Sequence, residues 1–178
     1  MRKDMREEHE KKIKENLEEE RQRADVASGL IREQVYELLT GMGFEQSEIE
    51  ADYGFPVEAS GRNEVCTIDF VITLGGKKVA AIRCAPDAID SRQREAVAFC
   101  RVAGIPISIV TNFVESKVLD AASGKLIGEG MEALPDKAGL IGCCTSGTCA
   151  ADARLEREKM ILLAFQSIQC HRPGLEKL

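Results

Sequence analysis

The chain has 178 residues, 44% hydrophobic and 30% charged, a balance that suits one packed soluble domain with an appendage and excludes an intrinsically disordered chain. Aromatic residues make up 4% and tryptophan is absent, so the core must rest on Val, Ile, Leu, Ala and Cys, and a stacking platform for single-stranded nucleic acid is disfavoured. The net charge of −6 argues against indiscriminate phosphate binding, because most non-specific DNA affinity comes from Lys and Arg neutralising the backbone.

Residues 2–24 lack Gly and Pro and favour helix. Glu7–Lys11, Glu8–Lys12 and Glu10–Lys14 sit at the i, i+4 spacing that supports a solvated helix. Met5, Ile13 and Leu17 give it little to bury, so residues 1–27 read as a charged helical appendage, solvated or packed against a second copy in a homo-oligomer. This start is densely charged and lacks the apolar stretch of a secretory signal, and no apolar run approaches membrane-spanning length. A cytoplasmic protein with no membrane partner is expected. The seven cysteines agree with buried thiols in a reducing compartment.

The second expected helix covers 30–40, with Ser28 as its cap, Ile31, Val35, Leu38 and Leu39 as its buried stripe, and Gly41 and Gly43 at its end. Residues 49–57 alternate as a half-buried strand does. Asn63 is expected in a turn, followed by the β-prone run V-C-T-I-D-F-V-I-T-L at 65–74, closed by Gly75-Gly76, and a third strand at 79–84. Three strands on tight turns predict an antiparallel meander. Ser91 then starts a helix with Glu95 in its first turn, and I-P-I-S-I-V at 105–110 follows as a strand. Strand, helix and strand from 79 to 110 form a βαβ unit, so these two strands should be parallel. Short edge strands are expected at 117–119 and 126–127. The last helix, 154–169, should bury Leu155, Met160, Leu163, Phe165 and Ile168. The fold class is α/β, a mixed sheet flanked by helices.

A meander followed by βαβ, with an acid in the second strand and a charged third strand, is the layout of restriction-endonuclease-like folds. I-R-E-Q-V-Y-E-L-L-T-G-M-G-F, T-I-D-F-V-I, V-A-A-I-R-C-A-P, P-I-S-I-V-T-N and V-L-D-A-A-S-G-K-L-I-G-E-G together resemble the N-terminal nuclease-type domain of type I restriction enzyme R subunits, over roughly residues 28–135. The chain also resembles a subgroup of small stand-alone bacterial proteins that carry I-K/R-C-A-P at the third strand. At this length it has no room for the helicase motor of an R subunit. The resemblance implies a PD-(D/E)xK site, in which an Asp and a Glu hold Mg²⁺ through oxygens and a Lys orients the attacking water.

Laying the family's I-E-V-K-A-P on this chain keeps the Asp at Asp69 but puts Ile82 where the Glu belongs and Cys84 where the Lys belongs. A hydrocarbon cannot ligate a hard cation, and a thiol is a poor ligand for Mg²⁺. Arg83 points away from Ile82 and Cys84 in a regular strand. A bulge would bring it into the Lys place, where it would stabilise an anion without acting as a base. The implied catalytic set is therefore Asp69, Arg83, Cys84 and Glu33, the last as the family's helix acid or a plain surface Glu, with Mg²⁺ on Asp69 if the site is active. Glu58, Glu64, Asp87 and Glu95 are further acids that spacing does not separate. The bland alternative for Asp69 is a structural acid that caps backbone or pairs with Arg83 across strands.

Outside residues 1–25 the chain holds 16 basic and 21 acidic residues, so DNA contact needs a local basic patch; Lys77, Lys78, Arg92 and Arg94 are its expected members. Residues 136–178 form a Cys-containing linker and terminal helix. There Cys143, Cys144, Cys149, Cys170 and His171 offer soft ligands for zinc or an iron–sulfur cluster, but at a spacing unlike the usual paired C-x₂₋₄-C. His9 reads as a surface residue. Three functions follow: a nuclease-fold domain, catalytically degraded and associated with DNA; an active Mg²⁺-dependent endonuclease with a rearranged site; or a non-catalytic oligomeric scaffold.

Overall fold

The computed structural model describes residues 2–86, 89–143 and 152–169. Helix α1 (Arg2–Gly41) runs straight into the domain; then come strands β1 (Ile49–Ala59), β2 (Arg62–Leu74) and β3 (Lys77–Cys84), helix α2 (Asp90–Ala103), strands β4 (Ile107–Thr111), β5 (Ser116–Asp120) and β6 (Leu126–Glu129), and helices α3 (Lys137–Cys143) and α4 (Asp152–Gln169). The six strands lie in chain order across one sheet. β3 and β4 are parallel, joined through α2, and every other neighbouring pair is antiparallel. The mixed α/β sheet flanked by helices is thus present, as are the meander and the βαβ unit.

Turn chemistry sets the meander. Ser60-Gly61 and Gly75-Gly76 each place two consecutive residues at positive φ, the twist that matches a two-residue hairpin. The first of these turns lies before Asn63, which is paired with Glu58 inside the ladder rather than turning the chain. Gly104, at φ 69, ends α2 in the left-handed conformation and donates its N–H to the Cys100 carbonyl.

The sheet separates two cores. On one face Val35 and Leu39 of α1 and Leu140 of α3 pack on Ile72, Ile82, Ile107 and Ile109. On the other, Ala98, Phe99 and Cys100 of α2 and Leu162 and Leu163 of α4 pack on Val57, Ile68, Val71 and Ala81. Ile68 and Phe70 have the same parity on β2 yet serve different cores. The β1–β2 hairpin changes face between them. There Asp52, at φ 52, falls between Ala51, paired with Phe70, and Tyr53, paired with Ile68.

Two expectations change. α1 continues unbroken through Ser28, so Ser28 caps nothing. No proline interrupts residues 2–41, and a potential cap residue does not by itself stop a helix. In α4, Met160 is 41% exposed while Glu158 is 1% exposed. Periodicity alone favours the thioether, but Arg94 and Arg101 of α2 each lie 2.7 Å from the Glu158 carboxylate and allow it to be buried. Leu140 of α3 and Leu163 of α4 belong to the two cores of the sheet.

Phe99 is fully buried against Tyr53 and Phe55, its ring centroid 4.9 Å from that of Phe55. Phe99→Ala should lower the unfolding free energy by about 3–5 kcal/mol, read from denaturant titration of the two proteins.

Candidate functional site

Asp69 sits at the end of the β2–β3 ladder, one residue beyond the Phe70–Ile82 pair. Its Oδ2 accepts the backbone N–H of Cys84 at 2.8 Å and faces Arg83 Nη1 at 3.2 Å. Its Oδ1 lies 3.7 Å from Arg32 Nε. The carboxylate therefore caps a strand end and pairs across strands together.

Arg83 projects from β3 away from Ile82 and Cys84, whose side chains lie in the core beneath α1. The register shift between β2 and β3 falls at Val79, four residues before Arg83, and β3 keeps a regular register with β4 from Ala80 to Cys84. The Arg83 fork spans three acceptors: Asp69 through Nη1, and both the Thr67 carbonyl at 2.5 Å and Glu95 Oε1 at 2.8 Å through Nη2. Its Nε is buried without a hydrogen-bond partner. Glu95 is 3% exposed and its Oε2 faces Arg92 Nη1 at 3.2 Å. Arg32 also reaches Asp52 Oδ1 at 2.6 Å and lies over the Phe70 ring.

The cluster holds three guanidinium groups, Arg32, Arg83 and Arg92, against three carboxylates, Asp52, Asp69 and Glu95. Each of the four oxygens of Asp69 and Glu95 already faces a donor. A divalent cation needs several oxygens with uncompensated charge. Here the position between the two acids is taken by a guanidinium, which is permanently charged. This donor set does not fit Mg²⁺, and among the described residues no group of three or more His, Cys, Asp and Glu side chains is arranged to hold a metal.

The other sequence-derived residues are scattered. Glu33 is exposed on α1; the residue that α1 contributes to Asp69 is its neighbour Arg32. Arg32 carried no motif signal, whereas Glu95 stood among the unresolved acids. Arg92 and Arg94 point to Glu95 and Glu158. Lys77 and Lys78 open β3, six and five residues before Arg83 and thus about 17–20 Å along the strand. Lys78 Nζ lies 4.8 Å from the Tyr53 ring centroid. Cys144, Cys149, Cys170 and His171 lie outside the described residues, as does Asp87, and Cys143 is the last residue of α3.

Cys84, Cys66 and Cys100 are buried free thiols. Burial pushes the Cys66 thiol up to about 11 and that of Cys100 up to about 12. Cys84 is raised further still, by burial first and by the Asp69 carboxylate second. None is a nucleophile near neutral pH.

Two outcomes follow. Arg83→Met leaves two acids without their shared cation and should cost about 3–5 kcal/mol in denaturant unfolding; adding Glu95→Gln should return part of that loss. Cys66, Cys84 and Cys100 should resist iodoacetamide in the native protein at mildly alkaline pH and react after denaturation, read by peptide mass spectrometry. Because the folded state keeps protons that the unfolded chain releases above the ordinary thiol value of 9.0, stability should fall as pH rises past that value.

No family model matches the sequence, and no curated protein matches it. Among solved structures, the chain is similar to a fragment assigned as an HsdR subunit of a type I restriction enzyme from Vibrio vulnificus YJ016, with a TM-score of 0.52 and 17% identity. The likeness covers 77% of this chain and 31% of that one, so this chain spans about a third of the structure it matches. At this identity the likeness shows a fold shared with that fragment and nothing about activity.

Proposed function

We propose that this chain is a nuclease-fold domain whose metal-dependent hydrolysis has been lost and whose remaining role is association with DNA. The observation that carries this reading is the Arg83 guanidinium between Asp69 and Glu95, where phosphodiester hydrolysis would need a cation with an open coordination position. An arginine there fixes two acids and neutralises them. It has no exchangeable coordination position in which to bind and activate a water molecule. Ile82 and Cys84 reinforce the reading, since their side chains sit in the core and offer nothing to a phosphate. DNA contact rests on Lys77 and Lys78, because Arg92 and Arg94 are drawn to Glu95 and Glu158. That diversion of two arginines favours a second reading, a scaffold with no nucleic-acid partner.

Supercoiled plasmid incubated with the full chain and Mg²⁺ or Mn²⁺ should stay intact, and a fluorescent duplex should bind weakly with an affinity that falls as salt rises. Lys77→Glu/Lys78→Glu should abolish the binding. Cleavage that disappears in Asp69→Ala would instead make the protein an active nuclease. Absence of both cleavage and binding at low salt would leave the scaffold reading standing.

A further inference from the structure

The 40 residues of α1 give it a length of about 60 Å. Among the described residues, its contacts with the core come from its last part, where Ile31, Val35, Tyr36 and Leu39 meet it. Before that point Val26 is 64% exposed and Leu30 56% exposed. With Glu19, Gln22, Arg23 and Ala27 they line a shallow depression along the helix. Gly29, between Val26 and Leu30, is a weak point of the helix.

Charge is divided unevenly along the projecting segment. Residues 2–14 hold six basic and four acidic residues, a balance of +2, whereas residues 15–25 hold two basic and five acidic, a balance of −3. A parallel pair of such helices would set like charge against like. An antiparallel pair would set each basic half along an acidic half, with the crossing near residues 14–16. Val26 and Leu30 of one copy would then lie against the first turns of the other, which include Met5.

We propose that a second copy of this chain covers the projecting part of α1, antiparallel, with residues 2–14 of each protomer along residues 15–25 of its partner. Steering by complementary halves selects this orientation and suppresses the parallel one. The proposal rests on the charge division and the exposed Val26 and Leu30, not on the nuclease-fold reading, and its test contains no nucleic acid.

Sedimentation velocity of the full chain should give twice the monomer mass at low salt, with dissociation increasing from about 50 mM to about 500 mM NaCl as the halves are screened. Lys11→Glu/Lys12→Glu/Lys14→Glu turns the first half acidic, and Glu18→Lys/Glu19→Lys/Glu20→Lys turns the second half basic. Each triple variant alone should weaken self-association by at least about tenfold. The chain carrying all six changes has its halves exchanged in sign and should dimerise again. A parallel pair would not recover, because its like charges would still face one another. Far-UV circular dichroism checks that each variant keeps its helix. A wild-type monomer at low salt, or a six-fold variant that keeps its helix and stays monomeric, would overturn the proposal.

Discussion

The geometry of this protein turns on one buried cation. Arg83 gathers Asp69 from β2, Glu95 from α2 and a backbone carbonyl from β2 onto a single guanidinium. The group is fixed by strand, helix and neighbouring strand at once, so none of the three can shift without leaving a charge uncompensated in a dry environment. Arg32 and Arg92 complete the neutralisation from the two sides of the sheet, one from α1 and one from α2. The result is an electrostatic knot in which Asp69 and Glu95 are already neutralised by arginines.

The sheet follows from backbone chemistry that sequence displays openly. Gly75-Gly76 marks a two-residue turn, the β-branched run at 65–74 marks a strand, and the change of pattern after Pro86 marks the crossover helix. The site was only half visible. Asp69 and Arg83 stand on adjacent strands and their pairing is a local possibility, but Glu95 looks like an ordinary first-turn acid until α2 is laid on the sheet. Arg32 was hidden because a basic residue on a helix has no motif to announce it. Glu158 was hidden for the same reason in reverse: periodicity assigns burial by hydropathy, and this acid is buried only because two arginines fifty or more residues earlier meet it.

The sheet's two faces have unequal histories in the sequence. The side under α1 is built from aliphatic side chains and is read easily. The side under α2 and α4 mixes an aromatic cluster with two ionic centres, Arg83–Glu95 and Arg101–Glu158. Residues of equal parity on β2 serve both faces because the hairpin rolls over near Asp52. A simple alternation rule therefore fails at the point where Asp69 is placed.

α4 is held to the body of the protein by contacts of its own. Glu158 is gripped by Arg94 and Arg101, Leu162 and Leu163 are sunk in the core, and Arg101 also binds the Ala121 carbonyl just past the end of β5. Severing the backbone between α3 and α4 would thus divide the polypeptide without freeing its final helix.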